Sequence, residues 1–328
     1  MFPHESSLEH IIFDIIIIGF LLLDGLVIYR LISRRARHTN KKRKPWYKGA
    51  LVLAVIAWLT VFYGSYIEPQ IILVNRQTIN LTEKPTHTIT IALISDTHVG
   101  PFKRDRFMQR AVDKINSLHA DAIVLDGDFI SFQASETKYL EPLKNLQAKL
   151  GVYGTLGNHD YGVDAEGNFS NNDMANSVRD SLVSLGVNVL RNQGVVLENN
   201  GSSLRLIGTD EIQTGRASIR GALGSVGSST TARYPTILLA HNPDTATYAQ
   251  KYGIDLVLAG HTHGGQVRLP FIGPVPPLPQ HLPRKYDRGL FSSDFGKTQL
   301  FITSGIGESG ARARLFVPPE IALLTINY

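Results

Sequence analysis

The stretch that decides the fold is Thr88-Ile89-Thr90-Ile91-Ala92-Leu93-Ile94-Ser95, followed at once by Asp96-Thr97-His98. The apolar run reads as a buried strand, and the polar trio ends it. Downstream, Arg104–Leu118 carries Phe107, Ala111, Val112, Ile115 and Leu118 at helical spacing. Ala122–Leu125 is the next strand, and it ends at Asp126-Gly127-Asp128. Strand, helix and strand make a βαβ unit of about 35 residues, with its strands as parallel neighbours. Both acidic ends then lie at one edge of a sheet, where open α/β sheets bind ligands.

The pattern repeats outward. Glu136–Leu150 reads as a helix, and Gly151–Leu156 as a strand ending at Gly157-Asn158-His159-Asp160. Asn172–Leu185 is a helix closed by Gly186, followed by short strands at Val187–Leu190, Val195–Glu198 and Leu204–Gly208. Gly215–Tyr234 is rich in Gly and Ser and reads as an irregular excursion. Thr236–Ala240 is a strand ending at His241, and Ile254–Ala259 one ending at Gly260-His261-Thr262-His263-Gly264-Gly265. Gln299–Thr303 and Ile321–Ile326 are the last strands. Strands outnumber helices and both kinds of connection occur, which favours an α/β sandwich of two mixed sheets with outer helices.

The charge is unevenly placed. Nine of the 33 Lys and Arg lie between Arg30 and Lys48, and four of the 28 Asp and Glu precede residue 68, which leaves 24 of each beyond it. The globular part is therefore neutral. It lacks the basic stripe that a nucleic-acid partner calls for. Cysteine is absent, so thiolate metal sites, cysteine nucleophiles and disulfides are excluded.

The basic loop, 33–48, separates two apolar segments, 11–32 and 49–67, each about long enough to cross a bilayer as a helix. Residues 1–67 then form a membrane hairpin, 68–87 a linker and 88–328 the globular domain. Trp46, Tyr47, Tyr63 and Tyr66 suit interfacial anchors of the second span. Asp14 and Asp24 interrupt the first, and Asp24 is placed to face the second helix. No basic region precedes the first apolar run, so a cleaved signal peptide is not expected. Basic loops stay in the cytoplasm. The expectation is a multi-pass inner-membrane protein with its globular domain on the extracytoplasmic side.

Collected, the strand ends supply Asp96, His98, Asp128, Asn158, His159, His241, His261 and His263. Oxygen and imidazole donors without thiolate suit two hard-to-borderline divalent ions, manganese, iron or zinc. Two such ions about 4 Å apart need a bridging carboxylate and hydroxide, and together clamp a phosphoryl group during in-line attack.

The ordered motifs Asp96-x-His98, Gly127-Asp128, Gly157-Asn158-His159-Asp160, His241 and Gly260-His261-Thr262-His263 resemble those of the calcineurin-like metallophosphoesterases, over about residues 88–328. One departure is Ser131, where such proteins often carry Asp or Arg. His241-Asn242-Pro243-Asp244, His261–Gln266 and Ser304-Gly305-Ile306-Gly307 resemble the membrane-anchored branch. Its members and relatives include phosphodiesterases and UDP-2,3-diacylglucosamine pyrophosphohydrolases. The resemblance implies an αββα sandwich and a dinuclear centre. One ion would be held by Asp96, His98, Asp128 and His263, the other by Asp128, Asn158, His241 and His261. His159 would face the phosphate, stabilising charge or protonating the leaving oxygen. Asp160 either orients His159 or caps a turn, and Asp126 is structural or supports a ligand.

Residues 266–290 hold six prolines with Arg268, Arg284, Lys285 and Arg288. They form either a pocket wall whose arginines bind substrate phosphate, or a solvated loop. Arg312 and Arg314 are weaker candidates of the same kind. The expected activity is hydrolysis of a phosphodiester or pyrophosphate in a lipid-linked substrate. The alternatives are a UDP-2,3-diacylglucosamine-type pyrophosphohydrolase, a phosphomonoesterase acting on soluble nucleotides, and a metal-stabilised scaffold without activity.

Overall fold

The computed structural model describes residues 5–37, 46–162, 170–227 and 234–328. Strands β1 (Leu73–Asn80), β2 (Thr88–Ser95), β3 (Ala122–Asp126), β4 (Val152–Thr155), β5 (Asn188–Val189), β6 (Gln193–Asn199) and β7 (Ser202–Gly208) come first. They are followed by β8 (Thr236–Leu239), β9 (Leu256–Ala259), β10 (Arg268–Leu269), β11 (Gly273–Pro274), β12 (Gly289–Phe295), β13 (Thr298–Ile302) and β14 (Glu320–Asn327). Two six-stranded sheets result, ordered β1-β14-β2-β3-β4-β5 and β12-β13-β9-β8-β7-β6.

Alternation along each strand explains the layers. In β2, Ile89, Ile91 and Leu93 point into the core between the sheets, while Ala92 and Ile94 point to the outer face. In β9, Leu256 and Leu258 meet that same inner core, and Val257 and Ala259 face outward. Both faces of the central strands are buried, so their sequences are nearly continuous apolar runs. Helices α3 (Asp105–Asn116) and α4 (Asn172–Ser184) cover the first sheet, and α5 (Ile219–Ser225) and α6 (Ala246–Ala249) the second. The fold is the expected αββα sandwich. β2, β3 and β4 are parallel neighbours, as are β7, β8 and β9. Their carboxyl ends therefore gather at one edge of the molecule.

Several local expectations are corrected. The stretch 68–87 contains β1, an edge strand parallel to β14. It is polar and mostly exposed, which suits a sheet edge and hides it from hydrophobic patterning. The helix expected at Glu136–Leu150 is a 3₁₀ segment, Ala134–Asn145, with Pro142 inside it. The Gly/Ser-rich excursion contains α5, and β12 and the β10–β11 hairpin were not anticipated.

Before the sandwich, α1 (Glu5–Arg37) and α2 (Trp46–Phe62) pack against each other, Trp58 Nε1 donating to Leu21 O at 3.0 Å. The stretch Ile11–Ser33 of α1, and Trp46–Gln70, which is α2 with the helical turns that continue it, are each long and apolar enough to cross a membrane, and no residue of α2 is buried. Half of the basic loop, 38–45, including Lys41-Lys42-Arg43-Lys44, lies outside the described residues. A π-helical turn, Tyr63–Ile67, joins α2 to the sandwich. There Arg314 N donates to Gly64 O at 2.9 Å, and buried Glu68 accepts from Phe316 N and Val317 N. Asp14 does not stand alone in α1: it pairs with Arg312 at 2.5 Å.

Candidate metal centre

Five loops at the gathered strand ends bring the donors together. Asp96, His98, Asp128 and His263 place ligand atoms within 4.8 Å of one another, and Asp128, His241 and His261 form a second such group. Asp128 belongs to both. Its Oδ2 lies 3.5 Å from His98 Nε2 and 3.1 Å from His241 Nε2. His98 Nε2 and His263 Nε2 face each other at 3.1 Å, and His263 Nε2 is 3.3 Å from Asp96 Oδ1. Asn158 Oδ1 is buried and has no hydrogen-bond partner.

The backbone is bent to do this. Asp96, His98, Asp128, His261 and His263 all have positive φ, between 40° and 69°. Non-glycine residues rarely adopt such angles, and functional sites are where they concentrate. Gly260 is required for close approach, since a Cβ there would collide with Ser95 Oγ and Asp96 Oδ2.

Two imidazoles are fixed by their far nitrogens. His241 Nδ1 bonds Asp126 O at 2.8 Å, and His261 Nε2 bonds Pro279 O at 2.6 Å. A ring N–H donated to a carbonyl leaves the other nitrogen with a free lone pair, the arrangement metal-binding histidines use. His241 Nε2, beside Asp128 Oδ2, and the buried, unpaired Asn158 Oδ1 are atoms whose chemistry fits a divalent cation. The all-N/O donor set fits divalent transition ions.

Electrostatics agree. Burial raises the Asp128 carboxyl, but His241 and His159 outweigh it and hold the group well below its usual range. Burial opposes a charge on His241, yet Asp128, Asp96 and Asp126 push it well above the usual value. Among the protein groups, the His241 proton therefore balances these carboxylates, a charge that a divalent ion can supply instead. Burial lowers His261 to about 3 and holds His263 well below its usual value. Both are neutral donors.

His159 stands at the edge of the cluster. Its amide donates to Asp128 Oδ1 at 2.8 Å, its Nδ1 lies 3.0 Å from Ser131 O, and its Nε2 is 3.4 Å from Ser309 Oγ. Asp160 does not reach the His159 ring. Its carboxylate instead accepts the amides of Phe129, Ile130 and Gly157, tying together the two loops that carry Asp128 and Asn158. Asp126 is buried without a side-chain partner, and burial raises it to about 8.

The cleft over the donors has a volume of about 340 Å³. Phe132, Pro276, Pro277, Pro279, Ser309 and Gly310 form its walls, and no Lys or Arg lines it among the described residues. The proline loop is thus a wall, held down where Asp244 accepts from His281 N and Leu282 N. Its arginines go elsewhere. Arg268 pairs with Asp287, Arg284 is exposed, and Arg288 lies beside Arg268 in a separate hollow. Buried Arg314 is spent on the carbonyls of Ser304, Gly307 and Val317. Sequence reasoning missed Ser309 and the role of Gln266, whose amide holds Ser309 and Ala311. Gln266 directly follows the last metal motif, and that adjacency was the available signal.

A model of the calcineurin-like phosphoesterase family matches residues 89–265, more than half of the chain. The chain belongs to that family. It is a metal-dependent phosphoric ester hydrolase, and its family is dimetal-dependent. Among relatives, the metallophosphoesterase YkuE of Bacillus subtilis is 29% identical over 81% of this chain and 89% of its own. The UDP-2,3-diacylglucosamine pyrophosphatase LpxG of Chlamydia trachomatis is 28% identical over 85% of this chain and 95% of its own. The phosphodiesterase YaeI of Escherichia coli is 28% identical over 80% of this chain and 92% of its own.

Proposed function

We propose that this metallophosphoesterase is membrane-anchored and hydrolyses a phosphodiester or pyrophosphate bond in a lipid-linked substrate. The observation that carries this reading is the pairing of a two-lobed Asp/Asn/His cluster with a cleft whose walls, Phe132 and three prolines beside Ser309 and Glu308, are largely apolar and carry no Lys or Arg among the described residues. Such walls suit a substrate with an apolar portion beside its phosphate. The two apolar helices joined to the same domain support a site held near a bilayer.

Asp96, His98, Asp128 and His263 would hold one manganese, iron or zinc ion, and Asp128, Asn158, His241 and His261 the other. When bound, the ions supply Lewis-acid activation of water and neutralise phosphoryl charge. The chain's own groups do the rest. Asp128 keeps the two lobes together through its shared carboxylate. Asp160 fixes the spacing of the loops on either side. Burial keeps His159 below its usual pKa and hence neutral, with Nδ1–H donated to Ser131 O and Nε2 turned to the cleft. An anionic substrate in the cleft raises the basicity of that ring. His159 Nε2 then holds a proton and delivers it to the leaving oxygen.

Similarity to the chlamydial pyrophosphatase across 85% of the chain favours a second reading, a UDP-2,3-diacylglucosamine-type pyrophosphohydrolase. Orientation separates the two. The nine basic residues between Arg30 and Lys48 support a cytoplasmic loop and a catalytic domain outside. A cytoplasmic UDP-lipid would be out of reach of that domain. Alkaline phosphatase and green fluorescent protein fusions at Tyr328 test this. A fluorescent, phosphatase-negative fusion refutes the outside placement and raises the UDP-lipid reading. The activity itself is tested with bis-p-nitrophenyl phosphate, p-nitrophenyl phosphate and a lipid-linked pyrophosphate under manganese, iron and zinc. Preference for the monoester would overturn the diester reading.

A further inference from the structure

We propose that the β10–β11 hairpin around Phe271, together with Phe316, is a second bilayer contact of the catalytic domain, seated at the boundary between lipid headgroups and acyl chains. The proposal rests on the reading that α1 and α2 are embedded in a membrane.

The patch is apolar and open. Phe271 is fully exposed, and Ile272, Val275 and Phe316 are 67%, 51% and 54% exposed. Single exposed apolar residues are ordinary, but contiguous ones mark contact surfaces. These are contiguous: Leu269, Phe271, Ile272 and Phe316 line one hollow of about 460 Å³. The backbone holds the two phenyl groups out at a cost, with φ of 68° at Phe271 and 59° at Phe316. Bulky side chains seldom occupy that region, and such strain persists where a site needs it.

The patch is also continuous with the base of the helical hairpin. Arg314 N bonds Gly64 O just beyond α2, and Phe316 N bonds the Glu68 carboxylate. Leu315 N donates to Gln266 O, and Arg268 N donates to Leu315 O. The end of α2, Phe316 and the foot of the β10–β11 hairpin are thus one hydrogen-bonded unit. The Asp14–Arg312 pair ties the amino-terminal part of α1 to the same segment. The level at which the helices leave the bilayer is then the level of the patch.

Charge suits a phospholipid surface. Arg268, Arg284 and Arg288 lie near one another, and among the described residues only Arg268 of the three has a carboxylate partner. Apolar side chains in the acyl region with guanidiniums among headgroup phosphates is the pattern of an interfacial element. The site gains from it, because Pro276 and Pro277 of the cleft wall follow Val275 directly. The mouth of the cleft opens beside the lipid, where a lipid-linked phosphate ester can enter laterally.

The absence of cysteine permits a direct test. The full chain carrying Phe271→Cys is labelled with an environment-sensitive NBD probe and reconstituted into phosphatidylcholine–phosphatidylglycerol vesicles. Expected are a blue-shifted emission, quenching by doxyl-labelled lipid, and iodide quenching several-fold weaker than for Lys251→Cys on the opposite edge. Ile272→Cys and Phe316→Cys read the same patch should one variant misfold, and bis-p-nitrophenyl phosphate turnover reports folding. Leu53→Cys in α2 reports embedding itself. A lipid-quenched Leu53 probe with Phe271, Ile272 and Phe316 probes as open to iodide as Lys251 overturns this proposal alone. An iodide-accessible Leu53 probe overturns the membrane reading beneath it.

Discussion

The floor and the rim of the cleft are built by different rules. The floor is made of residues that each follow the end of a buried strand: Asp96 and His98 after β2, Asp128 after β3, Asn158 after β4, His241 after β8, His261 and His263 after β9. Every one is at most 6% exposed, and five of them carry positive φ. The rim comes from Phe132, the proline loop and the 308–310 turn, segments far apart in the chain and positioned by packing and side-chain tethers. A floor whose backbone must reverse to aim a ligand tolerates few residue types. A rim only has to exclude water and admit substrate. Chemistry is therefore concentrated in short motifs, while specificity is spread over contacts that sequence spacing does not encode.

The largest effect is expected at Asp128. Asp128→Ala removes the carboxylate common to both lobes, so bound metal should fall from about two ions per chain toward none, and turnover with it. Elemental analysis after reconstitution with manganese measures this. A variant that keeps both ions would show that the lobes do not depend on a shared carboxylate. Next comes His159, beside the floor, whose amide donates to Asp128 and whose ring packs edge-on against His98, with its Nε2 turned away toward Ser309. His159→Ala should lower kcat by about 10²–10⁴ with metal content unchanged. Metal lost along with activity would make His159 a ligand.

The sequence shows the floor because strand periodicity and ligand chemistry coincide there: an apolar run, then Asp, Asn or His. It leaves Asp160 open, since the acceptor role that decides its function involves amides of Phe129 and Ile130 about thirty residues earlier. It leaves β1 unread because a polar edge strand carries no alternation. It leaves the cations of the proline loop open between pocket and solvent, because the partner that engages Arg268, Asp287, is nineteen residues further along the chain.

Asp160 tests whether the floor depends on what lies behind it. Asp160→Ala strands three buried amides, each costing about 1–3 kcal/mol. Thermal unfolding should drop markedly, and metal affinity with it. Asp160→Asn, which retains an acceptor oxygen, should recover much of the loss. Recovery of activity without recovery of stability would instead point to a direct role at His159.

A smaller effect is expected at Glu211. Burial raises its carboxyl from 4.5 to about 7, and its Oε2 has no partner. A folded-state pKa above the unfolded one means that the folded chain binds more protons between those values. The stabilisation is present below pH 4.5 and is lost as pH rises through about 7. Glu211→Gln removes that loss. At pH 8 the variant should be more stable than the parent by on the order of 2 kcal/mol, with little difference at pH 4. Melting curves of metal-free protein at the two values check it, and an equal shift at both would assign the effect to packing.

The smallest effect belongs to the rim-side arginines, where the contrast between floor and rim is sharpest. If the proline loop supplied phosphate-binding cations, Arg284→Ala would weaken turnover of any phosphodiester, soluble or not. The structure places Arg284 at the surface, and the cleft walls contain no guanidinium among the described residues. Surface charges act on a distant site only through a screened field, over about 8 Å at physiological salt. Arg284→Ala should therefore leave kcat and KM for bis-p-nitrophenyl phosphate within about two-fold of the parent at that salt. Arg268→Ala is the harder case, because it also strands the buried Asp287 and can slacken the loop. A loss there that Arg268→Lys restores would be structural, through the Asp287 pair. A rise in KM at Arg284 alone, with kcat and melting temperature unchanged, would return the loop to the role of phosphate clamp.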